Sequence, residues 1–142
     1  PATRIVLLNR GRVEQEGTPE EMYRHPSTLF AGRFIGSPPM NAVEGRVKGG
    51  RFEGPLAWPM KGADGPATLG VRPEDLQISD GPWRGVIDLV EYLGAERFIH
   101  ISVGKVQLIA RVGSGREFRK GDEIGFTPRE VHLFPRTVPA SS

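Results

Sequence analysis

Few residues of this chain stand at spacings that could do chemistry. A phosphate-binding loop needs Gly-x-x-x-x-Gly-Lys-Ser/Thr, so that backbone N–H groups can surround the phosphates. The one Gly-Lys pair is Gly104-Lys105; Val106 follows it, and Ile99 stands where the first glycine belongs. Ser114 lies between Gly113 and Gly115 without the Gly-x-Ser-x-Gly frame of a nucleophile elbow, and reads as a hairpin tip. His25, His100 and His132 lack metal-ligand spacing: His25 reads as a helix-end residue, the other two as strand residues. Cysteine is absent, which excludes disulfides, thiolate catalysis and thiolate metal sites. Trp58 and Trp83 each adjoin a proline, as edge or loop anchors do. The residues therefore describe a non-catalytic module, with no catalytic, metal or cofactor site expected.

Composition narrows the class further. At 37% hydrophobic and 25% charged over 142 residues, the chain is of globular type, with room for one ordinary domain and an appendage. The longest apolar run, Ile5 to Leu8, falls far short of the ~20 residues that cross a bilayer. Formal charge is +2, and the basic residues are dispersed instead of forming the clustered stripe of a nucleic-acid binder.

Two differently written halves meet at Phe34-Ile-Gly-Ser-Pro-Pro-Met-Asn41. Before it, residues 4–8 and 12–16 predict two short strands joined at Asn9-Arg10-Gly11, where Asn and Gly tolerate positive φ. Thr18-Pro19-Glu20-Glu21 predicts a helix start, with Thr18 as cap, Pro19 at the first position and Glu21 closing a capping box. His25-Pro26 ends that helix, and Ser27 is expected to cap a second, 28–34, with Leu29, Phe30, Phe34 and Ile35 on its apolar side. Pro38-Pro39 forbids further helix and serves as a stiff linker.

From Ala42 on, turn residues recur at short intervals between alternating segments. Ile99, Ile101 and Val103 fall on one strand face, with Phe98, His100 and Ser102 on the other; Val106, Leu108, Ala110 and Val112 repeat the pattern. Short strands at regular spacing predict a small barrel or sandwich. Within it, Gly70 to Leu76 is expected as a strand-to-turn element with Val71 and Leu76 buried and Arg72 partly exposed or paired. Thr127 to Val131 reads as a second single helical turn matching Arg72 to Leu76, which hints at an internal duplication.

The octapeptide Phe34 to Asn41 and Gly70-Val-Arg-Pro-Glu-Asp-Leu76, together with Arg4 to Arg12, Gly17 to Tyr23, Val90 to Gly94 and Val131 to Phe134, give the chain a family resemblance. It resembles the ATP-binding subunits of carbohydrate-type ABC importers, in particular the maltose and sn-glycerol-3-phosphate types. The resemblance implies a mainly β fold: an OB-type (MOP-like) small barrel preceded by a hairpin and two-helix remnant of an ABC ATPase domain. It divides the chain into a remnant at 1–36, a linker at 37–41, a regulatory transport-associated OB (TOBE) domain at 42–136 and a tail at 137–142. Phe34, Ile35, Gly36, Ser37, Pro38, Asn41, Gly70, Arg72, Pro73, Glu74 and Gly94 are the family-motif positions, expected in structural or interface roles.

By the same resemblance, ATP and magnesium belong to a parent subunit upstream. The partners implied are a second copy of the chain, membrane-spanning permease subunits and a regulatory protein, at the cytoplasmic face of the membrane, without nucleic acid. Molybdate-type relatives carry Ser-Ala-Arg before the Asn that opens an oxyanion-binding barrel; here Pro39-Met40 precede Asn41. Oxyanion binding is thus the alternative, and an OB-fold nucleic-acid binder, which needs aromatic stacking platforms, a more distant one. If the ATPase partners of Ile5 to Leu8 and Phe34 are absent, their apolar surface favours association of two chains.

Overall fold

The computed structural model of the chain describes residues 3–136. Strand outweighs helix, 53% against 11%, which makes the fold mainly β as expected. The chain divides into two compact units between Met40 and Asn41.

In the first unit, β1 (Ile5–Asn9) and β2 (Arg12–Gly17) form an antiparallel hairpin. The turn residues with positive φ are Arg10 and Gly11; Asn9, expected to supply that conformation, instead donates its amide to Glu14 Oε1 at 2.9 Å. Helix α1 (Pro19–Arg24) has the expected capping box: Thr18 Oγ1 accepts from the Glu21 N–H, and Glu21 Oε2 accepts from the Thr18 N–H, both at 3.2 Å. Helix α2 (Leu29–Phe34) is capped by Thr28 and not by Ser27. Thr28 Oγ1 accepts from the Ala31 N–H while donating to Glu14, whereas the Ser27 hydroxyl is taken by Glu14 and Gln15. Nor is the α2 apolar side the expected one. Ala31 and Gly32 are buried, with Leu7 and Met22 completing a small core, while Phe34 is 62% exposed.

The second unit holds β3 (Asn41–Lys48), β4 (Arg51–Glu53), β5 (Trp58–Pro59), β6 (Gly65–Val71), β7 (Leu76–Ser79), β8 (Trp83–Leu93), β9 (Glu96–Val103), β10 (Val106–Val112), β11 (Glu123–Pro128) and β12 (His132–Pro135). They form two five-stranded antiparallel sheets, ordered β10-β9-β8-β11-β7 and β12-β6-β3-β4-β5. One continuous core joins the sheets, from Val43, Phe52 and Leu69 to Ile87, Ile101, Leu108 and Phe126. Trp83 belongs to this core and is not an edge anchor: its indole N–H donates to the Ala57 carbonyl at 2.8 Å, and its ring meets Trp58 and Phe126 edge-on. Phe98 departs from its alternation too, being buried on the outer face of β9, opposite Glu91 and Arg111 in register.

The duplication takes an unexpected form. Pro73–Asp75 is a single 3-10 turn, but Arg129 and Glu130 form only a bend after β11. What repeats is the path: β6, turn, β7 and β11, bend, β12 each cross from one sheet to the other, and the two arms pair antiparallel, β6 with β12 and β7 with β11. Gly125 is needed where the arms meet, because a Cβ there would lie 2.6 Å from the Ser79 carbonyl oxygen.

Candidate functional site

The motif residues of the first unit lie at its C-terminal end. Phe34 closes α2, half-buried Ile35 caps it through its N–H to the Ala31 carbonyl, and Gly36, at φ +114°, turns the chain into Ser37-Pro38. Gly36 and Ser37 are exposed, and Pro38 is half-buried. None of these side chains converges on a group that could react. Gly94 does not join them either: it makes the two-residue turn between β8 and β9, at φ +63°.

Asn41, Gly70, Arg72, Pro73 and Glu74 come close to one another in the second unit. Asn41 begins β3 and faces Val71 of β6 in register, with Ala42 opposite Gly70. Its side chain, 7% exposed, donates to the Val71 carbonyl at 3.0 Å and the Ile109 carbonyl at 2.9 Å, and accepts from the Ile109 N–H at 2.7 Å. An amide has two N–H donors, and both are spent. Asn41 therefore stitches the β3–β6 pair to the free edge of β10, acting like one residue of an added strand. It has no donor left for an oxyanion.

Arg72 caps the 3-10 turn and is 2% exposed; of the two expectations for it, partly exposed or paired, the structure fits the second. Burial pulls its guanidinium pKa below the usual arginine value, and the carboxylates of Asp75 and Glu130 oppose that pull. An arginine stays charged regardless, so the two carboxylates hold a permanent buried cation. Asp75 serves a second arginine: Arg129 donates to its Oδ1 from Nη2 at 3.2 Å, and the Arg129 N–H reaches the Asp75 carbonyl at 2.7 Å. The two Pro-Glu segments are thus locked together by one carboxylate between two guanidinium groups. Pro73 is buried, and Glu74 lies on the rim of an open cleft of about 930 Å³ beside β7 and β10.

This arrangement is that of an OB-like antiparallel β module with a structural polar knot, and residues 69–134 match the TOBE domain family. The chain is also a relative of import ATP-binding proteins of ABC transporters, most of its length aligning with them. It is 37% identical over 94% of its length to the sn-glycerol-3-phosphate import ATP-binding protein UgpC of Jannaschia sp. (strain CCS1), covering 40% of that protein. It is 36% identical over 99% to the sulfoquinovosyl glycerol transport ATP-binding protein SmoE of Agrobacterium fabrum, covering 44%. With the trehalose/maltose import ATP-binding protein MalK of Thermococcus litoralis it shares 34% identity over 95%, covering 43%. The chain thus spans less than half the length of these relatives.

Proposed function

We propose that this chain is the regulatory and dimerising C-terminal part of an ABC importer ATPase subunit, one that energises uptake of a sugar or a glycerol phosphate. The observation that carries the reading is the similarity to import ATP-binding proteins across nearly the whole chain, together with the TOBE match. ATP and magnesium would act in the other part of the subunit, and this chain would neither bind nor cleave the nucleotide. Permease subunits in the membrane would be the partners of that other part, which places the assembly at the inner membrane face.

The physical role of the module would be to keep two subunits together. ATP-driven closure needs two nucleotide sites to face each other, and a standing contact elsewhere raises their mutual concentration to roughly millimolar without new contacts at the sites. Exposed apolar side chains support a self-contact: Val86, Leu89, Tyr92 and Leu93 lie along β8, with Tyr92 70% exposed. In the first unit Val6, Leu8, Val13 and Phe34 are more than half exposed, as expected of residues whose cover lies in the rest of the subunit.

The test is purification of the protein bearing this chain from membranes of its source cell. The expected result is an ATP-hydrolysing assembly with integral membrane subunits, in which two copies of this chain cross-link through cysteines placed at Tyr92. Recovery as a soluble monomer without membrane partners would overturn the reading.

A further inference from the structure

The cleft of about 930 Å³ has a charge pattern that neither the TOBE match nor the similarity to import proteins assigns. Four arginines line it: Arg97 on β9, Arg111 on β10, Arg116 in the segment that follows, and Arg129 after β11. Two of these charges are neutralised within the wall, Arg111 by Glu96 and Arg129 by Asp75, each at 3.2 Å. The other two have no carboxylate partner among the described residues. Both are instead held over the buried ring of Phe118, with guanidinium carbons 5.1 Å (Arg97) and 5.0 Å (Arg116) from its centroid. Arg97 also donates to the Gly113 carbonyl.

An aromatic platform fixes a guanidinium by its face and leaves the N–H groups on its edge free to donate. Two like charges are thus kept on one ring while the carboxylates next to them in sequence, Glu96 and Glu117, are committed to Arg111 and Arg119, which leaves Glu74 as the other carboxylate of the lining. A phosphoryl group carries nearly two negative charges at neutral pH and accepts bidentate bonds from guanidinium. A carboxylate carries only one such charge. The exposed Gly113-Ser114-Gly115 tip on the same rim adds a hydroxyl and unshielded backbone N–H groups. An extended peptide is a poorer fit, because strand addition along β10 is blocked at Ile109, whose N–H and carbonyl are already held by Asn41. Single-stranded nucleic acid is poorer still, since the faces of Phe118 are engaged by arginines instead of standing open for bases.

We propose that this cleft binds a small phosphate-bearing molecule, its phosphoryl group accepting from the outward N–H edges of Arg97 and Arg116 beside the Gly113–Gly115 tip. Free inorganic phosphate and a phosphate ester present the same group, and the cleft has room for an ester body along β7. The inference is read from this chain alone and its test does not use the ATPase reading, although Tyr92, part of the self-contact proposed above, also lines this cleft.

The experiment is calorimetric titration of the chain with inorganic phosphate, glucose 6-phosphate, glucose, acetate and an Asp/Glu-rich peptide, with backbone NMR of Gly113, Ser114 and Gly115. Saturable binding of phosphate or of the ester is expected, with shifts at the three residues and none from glucose or acetate. Tighter binding of the ester would identify an organic phosphate, and equal binding the free ion. Arg116→Gln, an exposed position, should weaken binding about tenfold at unchanged melting temperature, the loss of one charged hydrogen bond. Phe118→Leu keeps every charge and should weaken it as well, which a mere net-charge effect would not do. Arg51→Gln, on the other sheet, should change nothing. No saturable binding of either phosphate below about 10 mM overturns the proposal. So does binding unaltered in Arg116→Gln, or preference for the acidic peptide.

Discussion

The two units of this chain are built to different degrees of completeness. The second closes a core of seventeen buried hydrophobic residues between two sheets, and its buried polar side chains find partners. The first buries Leu7, Met22 and Ala31 as its cluster while Val6, Leu8, Val13 and Phe34 remain more than half exposed. Caps and hairpin in the first unit are well formed, so local geometry is not what it lacks. Local signals specify where a helix begins; only buried area holds it there.

The contrast is broken most directly by separating the units. A chain starting at Asn41 is expected to keep a cooperative thermal transition, whereas residues 3–40 alone should be unfolded, as chains below about 40 residues usually are without staples. Circular dichroism melts of both pieces decide it, and a cooperative melt of the short piece would erase the distinction.

Within the second unit, Arg72→Ala should be the most damaging single change, destabilising by about 3 kcal/mol because it leaves a cavity and deprives Glu130 and Asp75 of their buried partner. Chemical denaturation measures this; a loss under about 1 kcal/mol would mean the knot is not under tension. Asn41→Ala comes next, at about 2 kcal/mol, since it strips partners from the Ile109 N–H and from two carbonyls. Hydrogen exchange at the Ile109 amide should rise in that variant beyond the global change.

The smallest effect belongs to the first unit and depends on pH. Hydrogen bonds from Thr28 (2.6 Å) and Asn9 lower the Glu14 pKa below its ordinary value of 4.5. A carboxylate with a depressed folded-state value contributes stability that is fully present above the ordinary value and lost as pH falls through the depressed one. Exchange protection in β1 and β2 should therefore weaken on acidification below 4.5, and Glu14→Gln should flatten the dependence. An unchanged acid profile in the variant would show that Glu14 is not the group responsible.

Much of the fold is legible because its turns are written locally. Gly49-Gly50, Gly94-Ala95 and Gly104-Lys105 each sit in a two-residue hairpin, and register follows by counting outward from them. Arg72 was harder to place, since a charged side chain is ordinarily exposed and the carboxylate of Glu130 reaches it only through the pairing of distant arms. The cleft was hidden for the same reason. Arginines at 97, 111, 116 and 129 look dispersed along the chain, yet the barrel gathers them. Counting back from Gly104-Lys105 sets Arg97 opposite Val112 and Arg111 opposite Phe98, which assigns the two arginines to opposite faces of the pair, so register alone does not bring them together. Arg116 and Phe118 lie in irregular backbone, which no periodicity reaches.

The position of β6 between β3 and β12 has a consequence for how the module is made. Its two neighbours are the first strand of the unit and the last, so one flank of β6 waits for residues more than sixty positions downstream, Phe134 opposite Thr68. On the ribosome, β3 and β6 can meet early, but the second sheet stays one strand short until β12 has been made. A chain released a little before Phe134 therefore leaves β6 as an open sheet edge. Quality control would meet that product as an aggregation-prone nascent chain, although every other strand of the module is present.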